Sequence, residues 1–132
     1  MRYTRRFVLV FLGCAPGLPL MLRASPILGA DRSFEPATAR LRSLVADPLR
    51  ARMFGSGYRV QFPGEARPSI LTGLIRSSLQ LAAGGDVTAL NRDALLAALD
   101  ARVRAEFATG DVVRIDGWLL GRTEARLCAL CE

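Results

Sequence analysis

RPSILTGLIRSSLQLAA at residues 67–83 and RDALLAALDARVRAEFA at residues 92–108 decide the fold class. In the first run Ile70, Leu71, Leu74, Ile75, Leu79 and Ala82 recur three and four residues apart. On a helix that spacing gathers them into one apolar stripe. Gly84-Gly85 ends the run. In the second, Leu95, Leu96, Leu99, Val103 and Phe107 make the stripe, Asn91 is placed to cap its start and Gly110 its end. A capping asparagine accepts from the first free amides, and glycine takes the left-handed conformation that closes a helix.

Upstream, Ser33 is positioned as a cap with Pro36 in the first turn, followed by Phe34, Ala37, Leu41, Leu44 and Val45 at helical spacing. Asp47-Pro48 is expected to break this helix. Leu49 to Phe54 reads as a short further turn of helix, stopped by Gly55-Ser56-Gly57. Tyr58-Arg59-Val60-Gln61-Phe62 alternates and is predicted as a brief strand, ended by Pro63-Gly64. Downstream, Val112 to Ile115, then Asp116-Gly117, then Trp118 to Leu120 has the pattern of a tight hairpin. An Asp-Gly pair supplies the positive φ angles that a type I′ turn requires. Thr123 is then predicted to cap a last helix, 124–131, with Leu127 and Leu130 inward. The expected fold is mainly α: a small helical bundle with a short C-terminal β-hairpin and a terminal helix, in one domain over residues 31–132.

Residues 1–30 read as a signal segment rather than as part of that domain. Arg2, Arg5 and Arg6 form a charged start, and Phe7 to Gly13 an apolar run. Pro16, Pro19 and Arg23 interrupt the segment before it reaches the roughly 20 apolar residues of a spanning helix. Cleavage after Ala30 would leave 102 of the 132 residues, enough to fold without metals or staples.

Apolar residues make up 51% and charged residues 23% of the chain, the balance of a globular protein rather than a disordered one. All 18 basic residues are arginine, and the formal net charge is +6. Four of those arginines lie in residues 1–30, which hold no acid; the remainder has 14 arginines against 12 acids. The basic excess belongs mainly to the signal, which argues against nucleic-acid binding.

The chain has no histidine, which removes Ser-His-Asp and Cys-His machinery and histidine metal sites. With no lysine, Schiff-base chemistry is excluded as well, and Gly55-Ser56-Gly57 lacks the later glycine and lysine of a phosphate loop. No catalytic residue, cofactor or metal is expected. Asp111, Asp116 and Glu124 lie in one region, and surface solvation explains such acids better than acid–base chemistry does. Cys128-Ala129-Leu130-Cys131 has chemical suggestion. Haem attachment needs a histidine where Glu132 stands, zinc needs a second ligand pair, and a redox pair favours a helix N-terminus. The pair is expected to be structural, with Cys128 buried, and able to close one disulfide in an oxidising compartment. Trp118 either packs on the core or anchors a partner, and Arg114, Arg122 and Arg126 surround it in sequence. These four are the expected partner-binding surface.

Four resemblances bear on export and function. Thr4-Arg5-Arg6-Phe7-Val8-Leu9 resembles the twin-arginine signal, with Val8 and Val10 departing from its usual phenylalanine and lysine. General secretion and a lipoprotein signal are alternatives, since Phe11-Leu12-Gly13-Cys14 resembles a lipobox with phenylalanine for leucine. The tail from Arg114 to Leu130, RIDGWLLGRTEARLCAL, is similar to that of short uncharacterised proteobacterial proteins with twin-arginine signals. In plan, a twin-arginine signal on a small helical domain, the chain is similar to the small subunit of membrane-bound gluconate and sorbitol dehydrogenases. The resemblance implies a periplasmic, non-catalytic accessory or small subunit whose partners are a larger oxidoreductase subunit and the twin-arginine export machinery. The alternative is a stand-alone periplasmic binding or structural protein, membrane-anchored only through the signal or a lipid on Cys14. An enzyme using Cys128 and Cys131 is the third reading.

Overall fold

The last helix of the chain is the centre of the fold, and the rest is arranged around it. The computed structural model describes residues 34–132. Arg5, Arg6, Cys14, the cleavage point at Ala30 and the Ser33 cap lie outside them. The order is α1 (Phe34–Arg42), α2 (Pro48–Gln61), a 3-10 turn at Pro63–Glu65, α3 (Pro68–Ala83), a second 3-10 turn at Val87–Ala89, α4 (Arg92–Thr109), β1 (Val112–Ile115), β2 (Trp118–Gly121) and α5 (Arg122–Leu130). Helix α5 touches all four other helices and both strands. Thr123, Glu124, Ala125, Leu127, Cys128, Ala129 and Leu130 are buried along it. Full burial of Leu127 and Leu130 contributes about 2 kcal/mol each. The mainly α architecture with one small antiparallel hairpin is as the sequence predicts.

The helix ends follow from local chemistry. Asp47 accepts from the amide of Arg50 at 3.1 Å and Pro48 opens α2. Pro68 opens α3, and Gly84 closes it at φ 70°. Asn91 accepts from Ala94 at 2.8 Å and Gly110 closes α4 at φ 79°. Asp116 and Gly117 adopt φ 50° and 81°, as the hairpin turn requires, and pair Ile115 with Trp118.

Four expectations are corrected. Residues 58–62 are not a strand: α2 runs unbroken through Gly55-Ser56-Gly57 to Gln61. Those glycines are contact residues, not stops. A Cβ on Gly55 would run into the Cys128 carbonyl, whose carbon lies 2.8 Å away, and one on Gly57 would meet Ile115 Cγ2 at 2.5 Å. Close crossing of α2 on α5 needs a side with no side chain, and the helix keeps going because that packing outweighs glycine's poor propensity. On α3 the buried set is Leu71, Thr72, Ile75, Ser78 and Leu79, while Ile70 and Ala82 face outward. Thr72 is tolerated inside because its hydroxyl pairs with that of Thr38 at 2.9 Å. On α4 the buried residue near the end is Glu106, and Phe107 is exposed. Helix α5 starts at Arg122 with Thr123 inside its first turn, so Thr123 is not its cap.

Candidate functional site

Of the expected partner surface, Arg114 and Trp118 stand on the hairpin and Arg122 and Arg126 on α5. The turn at Asp116-Gly117 sends Trp118 outward at 44% exposure, and its ring meets Phe54 of α2 edge-on, centroids 6.2 Å apart. Trp118 thus does both things the sequence left open: one edge packs on the core and the rest faces solvent. Arg114 is exposed, and its backbone carbonyl accepts from Gln61 Nε2 at 2.9 Å, fastening β1 to the end of α2.

Arg122 and Arg126 are engaged within the fold. Arg122 Nε donates to Asp111 at 2.7 Å, and its guanidinium lies 5.2 Å over the Phe62 ring. Arg126 grips Glu65 with two bonds, 2.9 and 3.0 Å, and Tyr58 donates its hydroxyl to the same carboxylate at 2.6 Å. Bidentate pairing with Arg126 holds the Glu65 carboxyl below its ordinary value. Burial, reinforced by the hydrogen bond to Glu65, pushes the Tyr58 phenol up to about 12. Of the four residues expected to meet a partner, Trp118 and Arg114 face solvent.

Cys128 is fully buried and Cys131 half-buried, both as free thiols. Burial, with Glu124 adding to it, raises the Cys128 thiol well above its ordinary value. Burial also raises Cys131, and the nearby Arg42 and Arg52 guanidiniums pull it partly back. The amide of Cys131 donates to the Cys128 carbonyl at 3.1 Å, closing the last turn.

Two features were not foreseen. The first is Glu106, which caps α5 from another helix. Its carboxylate accepts from the amide of Thr123 at 2.9 Å and from the Thr123 hydroxyl, and Arg102 Nε donates to it at 3.1 Å. Gly121 makes room, since a Cβ there would lie 2.8 Å from Glu106 Oε2. The sequence offered Thr123 as a local cap, which left no reason to look for a distant one, and the periodicity that favoured Phe107 as the inward residue hid Glu106.

The second is the outer side of α2. Leu49, Met53 and Val60 are 76%, 68% and 81% exposed, although α2 packs its other side, Ala51, Phe54, Gly55 and Tyr58, into the core. These three make an outward apolar stripe on α2 that water does not favour. Reading residues 58–62 as a strand had broken this stripe in two. A small cleft of about 30 Å³ between Arg40, Arg76, Val87 and Leu95 is water-sized. No helix among the described residues is long and apolar enough to cross a membrane. Comparison of the chain with protein-family models, with curated proteins and with solved structures yields no match.

Proposed function

We propose that this chain is an exported, non-catalytic accessory or small subunit that docks on a cofactor-bearing periplasmic oxidoreductase and aids its export or assembly. The observations that carry the reading are the exposed Leu49, Met53 and Val60 along α2 and the partly exposed Trp118 on the hairpin. Exposed aromatic and aliphatic groups on a rigid helix and hairpin are the material of a protein–protein contact. The arginine pair Arg5-Arg6 supplies the rationale: the twin-arginine route carries folded cargo, and a signal-bearing subunit can take a folded partner with it. The committed core, with Arg122 and Arg126 tied to Asp111 and Glu65, makes the domain a stable platform for Trp118 and Arg114.

The test is affinity purification of the tagged protein from periplasm, with mass spectrometry of what accompanies it. A stoichiometric oxidoreductase subunit, whose export fails when Arg5 and Arg6 are changed to lysine, is the expected result. A clean monomer overturns the reading and leaves a stand-alone periplasmic protein; an added acyl mass at Cys14 would then identify it as a lipoprotein.

A further inference from the structure

We infer that the outer side of α2 is a heptad seam that receives one amphipathic helix bearing acidic residues along both its edges. The inference rests on the accessory reading above and names the chemistry of the partner surface.

Leu49, Met53, Ser56 and Val60 are separated by four, three and four residues, the alternation of a and d positions in a coiled coil. At 3.6 residues per turn they fall within an arc of roughly 60° and run for roughly 16 Å along the helix. A stripe this narrow matches a helix-on-helix seam; a helix lying on lipid or packed on a broad core shows an apolar face of about 100° or more. All four residues are exposed; Ser56 at the middle is small and gives its hydroxyl to Glu132 at 3.2 Å.

The flanking positions decide the occupant. The residues that would sit at e and g beside this seam are Arg50, Arg52, Gly57 and Arg59: three arginines and no acid. Arg59 is paired with Glu132 at 3.2 Å, which also accepts from Ser56. Arg50 lies 3.7 Å from Asp47 with its side chain 63% exposed. Arg52 gives its Nε to the Cys131 carbonyl at 3.3 Å and is exposed. Arg50 and Arg52 therefore present positive charge on opposite sides of the seam. A second copy of this chain would set arginine against arginine there, which disfavours self-pairing. A helix with apolar a and d residues and glutamate or aspartate at e and g meets both the seam and its edges.

The test uses the exported protein purified from periplasm and a synthetic three-heptad peptide with leucine at a and d and glutamate at e and g. Its glutamates keep it from pairing with itself at neutral pH. The control peptide has lysine at e and g. The glutamate peptide is expected to bind, more weakly as salt is raised, with the control at least tenfold weaker. Met53→Glu with Val60→Glu is expected to lose at least tenfold in affinity while the circular dichroism spectrum is unchanged. No binding, equal binding of both peptides, or binding indifferent to the double substitution overturns the proposal. So does a concentration-dependent dimer, or sedimentation with phosphatidylglycerol vesicles, that the same substitutions abolish. In co-purification, a partner retained by the double variant removes the seam and leaves the accessory reading standing; no partner on the unaltered protein removes that reading itself.

Discussion

The two ends of α5 are both closed by side chains from elsewhere in the chain, in opposite ways. At its start one buried carboxylate, Glu106 at 1% exposure, serves the amide and hydroxyl of Thr123. At its end three arginines share the work: Arg59 donates twice to the Ala129 carbonyl, at 3.1 and 2.8 Å, Arg42 to Leu130 at 2.7 Å and Arg52 to Cys131 at 3.3 Å. A helix exposes free amides and partial positive charge at one end, free carbonyls and partial negative charge at the other. An anion at the start and cations at the end answer both. The difference is concentration. Water is excluded at the start, where one carboxylate takes both Thr123 donors while the Arg122 amide goes to the Asp111 carbonyl at 3.2 Å; the end lies near the surface, so several partly exposed side chains divide the task.

That contrast sets the order of mutational effects. Glu106→Ala strips the Thr123 amide and hydroxyl of their acceptor and leaves Arg102 without one partner. The expected loss is about 3 kcal/mol or more, read as a lower urea midpoint with an unchanged slope. Glu106→Gln keeps an acceptor oxygen and should fall between. If the alanine variant lost less than about 1 kcal/mol, the buried cap would not be a concentrated one. Removing a single arginine from the far end should cost much less. Arg59→Ala gives up two hydrogen bonds to the Ala129 carbonyl and the ion pair with Glu132 but leaves Arg42 and Arg52 in place, so about 1 kcal/mol is expected. Removing Arg42 and Arg59 together should cost more than the sum of the two, since they serve adjacent carbonyls of one turn. Strict additivity would show that the end is not a shared cap.

How much of this could be read from the residues differs sharply between local and distant devices. The caps made within a few residues, Asn91, Gly110 and the Asp116-Gly117 turn, were legible because their chemistry is written beside the element they close. Both caps of α5 come from far along the chain, Glu106 from α4 and the arginines from α1 and α2, and no local pattern announces them. The same reason explains the error at Gly55-Ser56-Gly57. Glycine is a helix stop on local propensity alone, and only the approach of the Cys128 backbone makes it the residue required there. At the candidate site the sequence left Trp118 between core and surface, and it placed Arg122 and Arg126 on the same surface as Arg114 although both are engaged within the fold. The tie of Arg126 to Glu65 was not legible, because Glu65 lies 61 residues earlier.

Between the two ends, Arg126 joins the middle of α5 to Glu65, and pH separates its contribution from theirs. The Glu65 carboxyl is held below its ordinary 4.5 by Arg126. A depressed carboxylate contributes stability that is present above its unfolded value and lost as pH falls through its folded one. Stability should therefore decline on acidification below pH 4.5, and less steeply in Glu65→Gln. The Tyr58 phenol has the opposite sign: raised from 10.0 to about 12, it favours the fold below pH 10, and that part is lost as pH rises from 10 towards 12. A Tyr3→Phe chain, which leaves Tyr58 as its one tyrosine, should show phenol ionisation by ultraviolet absorbance near pH 12. Ionisation near 10 in the folded protein would contradict the buried Tyr58–Glu65–Arg126 triad.

The smallest expected effect tells the interior of α5 from its open end without disturbing either. Cys128 is fully enclosed and its thiol is raised by burial, whereas Cys131, half-buried on the last turn, has Arg42 and Arg52 drawing its thiol back down. The thiolate is the reacting form. Iodoacetamide should therefore label Cys131 in the reduced, folded protein and spare Cys128 until denaturant is added. Arg52→Ala removes one of the two guanidiniums that favour the Cys131 thiolate, so it should slow that labelling modestly while barely changing the unfolding midpoint. Faster labelling in that variant would mean that Arg52 shields the sulfur more than it activates it. Labelling of Cys128 as fast as Cys131 would mean that the last turn opens readily, and the three arginines would then be partners of a frayed end rather than its cap.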